Sequence, residues 1–142
     1  MKSEREIKLE WLSRGKPLRL KLIGLYAERM ERVSRAEYAG ISYGEHSGRG
    51  STNGTESKLA AIEAVDAEIA AIEAEQKRIE AEIRAVIEQV RTPIYQTYLR
   101  MRFLAYKTEP QIAAETGYSF HYIDNVVRKK AIDAVKIVGN SG

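Results

Sequence analysis

Residues 62–90 read IEAVDAEIAAIEAEQKRIEAEIRAVIEQV. Apolar side chains recur at Ile62, Val65, Ile69, Ile72, Ile79, Ile83, Val86 and Val90, in alternating steps of three and four, and Gln76 takes one a position of the same stripe. That spacing lays a single seam along a helix of heptad period. Much of the remainder is Ala, Glu, Lys and Arg, all strong helix formers. One long helix is therefore expected over residues 56–91. Its e and g positions are Asp66, Glu68, Glu73, Glu75, Glu80 and Glu82. A parallel self-pair would set acid against acid along the seam, so a basic helix is the better partner.

The chain supplies such a helix upstream. Residues 18–38 carry the apolar series Leu22, Tyr26, Met30, Val33 and the cations Arg19, Lys21, Arg29, Arg32 and Arg35. Between the two helices lies GISYGEHSGRGSTNGT, residues 40–55, with five glycines among Ser, Thr and Asn. Such a composition buries too little apolar surface to offset chain entropy, and reads as a linker long enough to let the helices fold back antiparallel. An intrachain hairpin is expected. A short first helix over residues 4–13, with Ile7, Trp11 and Leu12 on one side, precedes Gly15 and Pro17. Four segments follow: N-terminal helices over 1–39, the linker over 40–55, the long acidic helix over 56–91, and a C-terminal module over 92–142.

The net charge of +3 hides their contrast. Residues 1–55 sum to +4, residues 56–90 to −5 and residues 91–142 to +4. The acidic middle cancels most of a basic C-terminal signal.

That C-terminal module is punctuated by helix signals. Thr92-Pro93 resembles an N-cap with Pro at the first helical position, opening a helix that puts Ile94, Tyr98, Leu99 and Phe103 inward and Arg91, Arg100 and Arg102 outward. Thr108-Glu109-Pro110-Gln111 has the form of a capping box and opens a short helix to Thr116. Gly117 provides a turn position with positive φ, and Ser119 caps a last helix running from Phe120 to about Val138. Short helix, glycine turn, second helix is the order of a helix-turn-helix. Ala113 is small where the helices would cross, and Ile112, Tyr118, Ile123 and Val126 stand where a shared core is needed. Thr116 departs from the apolar residue that would pack best there. Seven aromatics crowd the module, and most are expected in its core.

The second helix would then be the reader. With Ile123, Val126 and Val127 assigned to the core, the exposed set is His121, Tyr122, Asp124, Asn125, Arg128, Lys129 and Lys130, with Ser119 at the cap. Asn can be bidentate to adenine, and Arg or Lys reach guanine or phosphate. A capping Ser and helix N-terminal N–H groups can hold a phosphate. Asp124 either accepts from cytosine N4 or pairs with Arg128 one turn on. The run Arg128-Lys129-Lys130 serves either as phosphate contacts or as a solvated helix face.

Other classes find little footing. Without Cys there is no disulfide, thiolate zinc site or cysteine nucleophile. His46 lies in the linker and His121 on an exposed helix start, while Glu73/Glu75 and Glu80/Glu82 are spaced two apart and point to different helix faces. The linker glycines have no following Lys-Ser/Thr, so they form no phosphate loop. No catalytic residue, cofactor or metal ligand is expected. No stretch approaches the ~20 apolar residues that span a bilayer, and no signal-peptide pattern opens the chain, so a soluble, cytoplasmic protein without a membrane partner is expected.

The stretch YLRMRFL at 98–104, followed by Ile112-Ala113 and Gly117-Tyr118-Ser119, resembles the helix-turn-helix of sigma factor region 4. The whole layout is similar to small phage late-transcription regulators, with residues 48–56, 62–90 and 95–134 as the matching pieces. This resemblance implies sequence-specific binding of double-stranded DNA in a bacterial host, activation of late genes, and RNA polymerase as a further partner. A homodimer would place its two reader helices about one helical turn of DNA apart. The alternatives are a small phage DNA-packaging subunit, which would form a ring, and a helical interaction module without specific DNA binding.

Overall fold

A computed structural model describes residues 1–38 and 53–137. Every regular element among them is helical, so the fold is all-α. The elements are α1 (Glu4–Leu12), α2 (Gly15–Tyr38), α3 (Asn53–Glu88), α4 (Pro93–Leu99, continued by a π-helical turn, Arg100–Leu104), α5 (Glu109–Thr116) and α6. The last joins Phe120–Tyr122, a π-helical turn at Ile123–Val127 and Arg128–Ala134 into one helix. Most of the expected linker lies outside the described residues. Its final three, Asn53, Gly54 and Thr55, belong to α3.

The chain divides into two compact units. The first, Leu18–Glu75, is the helical hairpin. Leu22 and Leu25 of α2 pack against Val65, Ile69 and Ile72 of α3. Tyr26 donates its hydroxyl hydrogen to Glu73, and Arg29 pairs with Asp66. Rising numbers on α2 meet falling numbers on α3, so the pairing is antiparallel, as expected of an intrachain hairpin. The basic set is only partly used this way. Arg32 and Arg35 instead pair along their own helix with Glu28 and Glu31, at 2.9 and 3.0 Å. An i,i+4 neighbour is already in reach on a helix surface, whereas a partner across the seam must also sit in register.

The second unit joins Met1–Pro17 to the chain from Gln76 onward. Here α1 packs on the end of α6: Arg5 makes a two-pronged bond to Asp133 (2.9 and 2.7 Å), and the Lys8 ammonium donates to the Asp133 carbonyl at 3.0 Å. The arginine holds the Asp133 carboxyl below its ordinary range, and the lysine occupies one carbonyl that a helix end leaves open. The Arg14 guanidinium covers the Trp11 ring at 4.3 Å and bridges to Glu82 at 2.9 Å. Leu12, Ile83, Ile87, Tyr98, Leu99, Ile112, Ile123, Val127, Ile132 and Val135 are fully buried.

Tyr106 ties this unit together. It is the one non-glycine residue with positive φ among those described, at 59°. Its hydroxyl donates to Glu80 and accepts from the Gln76 amide at 3.3 Å. Gln76, the polar break in the heptad stripe, thus has a partner. Gly15 lies against the same hydroxyl: a Cβ there would collide with Tyr106 Oη. Gly15 begins α2 rather than ending α1, and Pro17 falls in its first turn, where a missing N–H is harmless.

Candidate nucleic-acid interface

The helix-turn-helix candidate is built by local caps. The Thr108 hydroxyl accepts from the Gln111 N–H at 3.3 Å, while the Gln111 side chain accepts from the Thr108 N–H at 2.8 Å, so the expected capping box is complete. Gly117 is left-handed at φ 81°, and its N–H closes α5 by donating to the Ala113 carbonyl at 3.0 Å. The Ser119 hydroxyl accepts from the Tyr122 N–H at 3.1 Å and starts α6. Thr92 takes the N-cap backbone conformation, but its hydroxyl makes no cap bond. The neighbouring Gln96 amide instead donates to the Val90 carbonyl at 3.1 Å and fastens the end of α3.

Packing changes parts of the expected core. Ile112, Ala113, Ile123 and Val127 are buried as expected, but Tyr118 is 46% exposed and Val126 only half-buried. For Val126 the π turn is the reason. The Arg128 N–H donates to the Ile123 carbonyl five residues back, which adds a residue to that turn and shifts the buried face. Thr116 is also explained, because its hydroxyl donates to the Ile112 carbonyl at 2.8 Å and so enters half-buried surroundings satisfied. Of the seven aromatics in the C-terminal module only Tyr98 and Phe103 are buried, in edge-to-face contact with centroids 6.4 Å apart. Phe120 (49%) and Tyr122 (39%) are exposed along with Tyr118, and the rings of Tyr118 and Tyr122 lie against each other, centroids 5.3 Å apart. The last helix ends at Ala134, earlier than expected, because Val135 turns to an extended conformation and is itself buried.

Of the reader residues, Ser119 at the cap and His121, Tyr122, Asn125, Lys129 and Lys130 on α6 are exposed. Asp124 and Arg128 are half-buried. Arg128 donates to the Asp124 carbonyl at 3.2 Å and lies 3.7 Å from the Asp124 carboxylate and 3.9 Å from Glu109. It is thus held as an internal brace. Asp124 takes the second of its two expected roles, the pair with Arg128.

Glu109 is the residue that sequence reasoning missed. Its Oε1 accepts from the Tyr98 hydroxyl at 3.1 Å and faces Arg102 at 4.0 Å and Arg128 at 3.9 Å, joining α4, α5 and α6 at one carboxylate. Its Oε2 is buried without a hydrogen bond. Burial raises the Glu109 pKa, against the pull of Tyr98 and the two arginines. Burial, with Glu109 alongside, raises the Tyr98 pKa as well. Arg102, read from the sequence as an outward cation, is half-buried and donates to the Lys107 carbonyl at 3.3 Å. The only sequence signal for Glu109 was its place at the first turn of α5, which explains an acid but not its burial.

Among the described residues no three His, Asp or Glu side chains gather as a metal site would require. No helix among them is long and apolar enough to cross a membrane. No family model matches the chain, and no curated protein or solved structure matches it.

Proposed function

We propose that the chain is a sequence-specific DNA-binding regulator of phage genes that docks double-stranded DNA through α5, the Gly117 turn and α6. The observation carrying this reading is the pair of capped helices, joined through left-handed Gly117, that leaves a contiguous polar face on α6. That face consists of His121, Tyr122, Asn125, Lys129 and Lys130. Lys129 and Lys130 supply phosphate contacts that position the protein, and the first turns of α6 supply base contacts that specify. Activation of late genes, RNA polymerase as a partner and a bacterial cytoplasm complete the proposal and rest on the resemblance to phage regulators.

Gel-shift titrations with random-sequence duplex DNA at two salt concentrations test it. Binding should weaken with salt, and Lys129→Ala should lower the logarithmic salt slope by about one for each phosphate contact removed. No salt-sensitive binding to any duplex overturns the reading.

A second reading has its own observation. Leu20 (59%), Ile23 (51%) and Met30 (71%) are exposed on α2. Exposed apolar side chains at helical spacing suit an interaction module. Light scattering separates the cases: a monomer or dimer fits the regulator, and a ring of about eight or more copies fits a packaging subunit.

A further inference from the structure

The face of α6 offers one hydrogen-bond acceptor beside one apolar platform, and both are held in place. The Asn125 side-chain amide donates one hydrogen to the His121 carbonyl at 3.0 Å and meets His121 Nδ1 at 3.0 Å. Both amide hydrogens are committed when Nδ1 accepts and the imidazole proton sits on Nε2. The group left to an incoming ligand is Asn125 Oδ1, an acceptor. The bidentate grip of Asn on adenine, which needs an amide hydrogen for N7, is therefore closed in this arrangement. Three residues before Asn125, and so on the same side of the helix, stands Tyr122, its ring backed by Tyr118.

In the major groove, amino donors are offered by adenine N6 and cytosine N4, and a methyl group only by thymine. A C·G pair offers the amino group without the methyl. The A·T pair offers both. Resting on the DNA-binding reading above, we propose that α6 selects A·T pairs: Asn125 Oδ1 accepts from the adenine N6 amino group, Tyr122 packs on a thymine methyl, and His121 acts as a positioning residue that fixes the amide.

Selection of duplexes from a random-sequence pool by the full chain tests this. The wild type should recover a site with an A·T position. Asn125→Ala and His121→Ala should both lose preference at that position, each by roughly tenfold, without losing salt-dependent binding to unselected DNA. Replacing thymine by uracil in the selected site removes only the methyl. It should weaken the wild type about fourfold and leave Tyr122→Ala unchanged. The uracil comparison uses the unaltered protein, so it does not depend on any variant folding. A G·C preference at the position that Asn125→Ala relaxes overturns the proposal, and so does a His121→Ala pool identical to the wild-type pool. Thymine and uracil sites of equal affinity remove the Tyr122 role. A wild type that binds duplexes without selecting any sequence overturns the proposal while leaving DNA binding intact. A wild type that binds no duplex overturns the underlying reading as well.

Discussion

The hairpin unit and the unit that carries α4–α6 are both helical, yet they are specified by different means. In the hairpin, two long helices meet along one narrow stripe, with Leu22, Leu25, Val65 and Ile69 as its core and Arg29–Asp66 beside it. Repetition does the work: each heptad restates the same contact, so no single residue needs an unusual conformation. In the other unit α5 is only eight residues long, and an isolated helix of that length is unstable in water. Caps at Thr108 and Ser119, left-handed Gly117, the Tyr106 anchor and the Glu109 junction each act once. Such a unit depends on particular residues, and its site is correspondingly well defined.

The largest effect should come from breaking the single-copy core. Ile123 is fully buried where α5 and α6 cross, and Ile123→Ala should cost about 3–4 kcal/mol in urea unfolding. Leu22→Ala on the hairpin should cost about 2 kcal/mol, because a two-helix seam can close around a smaller side chain. Equal losses would show that the two units are equally constrained.

Next is Gly15→Ala. The added methyl must displace the Tyr106 hydroxyl from Glu80 and Gln76, at a cost of about 1–2 kcal/mol. A double variant with Tyr106→Phe should recover part of that loss, measured by thermal unfolding.

Two other glycines make the contrast within one substitution. Gly24 lies inside α2 with nothing within 4 Å of an added Cβ, so Gly24→Ala should stabilise by about 0.5–1 kcal/mol. Gly117→Ala also meets no atom, but its φ of 81° makes the same change unfavourable by about 1 kcal/mol. Opposite signs are the expected outcome of paired melting curves.

The smallest effect is in pH. Burial raises the Glu109 pKa above the ordinary 4.5, so the folded state binds a proton more tightly than the unfolded chain does. Stability from this group is therefore fully present below about pH 4.5 and falls as pH rises through the folded value. Glu109→Gln should gain stability relative to the wild type as pH rises across that window. A pH-independent difference between the two would show that the carboxylate is not disfavoured by burial.

Much of the candidate site was legible because it is local. A capping box, a serine cap and a glycine turn are decided within four residues, so Thr108, Gln111, Gly117 and Ser119 could be placed from spacing alone. Exposure of His121, Asn125, Lys129 and Lys130 followed from the helix period. The π turn at Ile123–Val127 was not legible, since it depends on what α6 packs against, and it leaves Val126 only half-buried. Nor was the half-buried position of Arg128, because its partner Glu109 lies on another helix.

By itself the sequence determined the helices, the caps at Thr108 and Ser119 and the match of a basic helix to the acidic one, since helix period, turn chemistry and charge along one helix are short-range properties. Only the tertiary structure decided that α1 joins the C-terminal unit through Asp133, that Gln76 has Tyr106 as its partner, and that Glu109 gathers Tyr98, Arg102 and Arg128. Each of these joins residues far apart in the chain or on different helices. Their energies come from burial and direction in space, which no local pattern records.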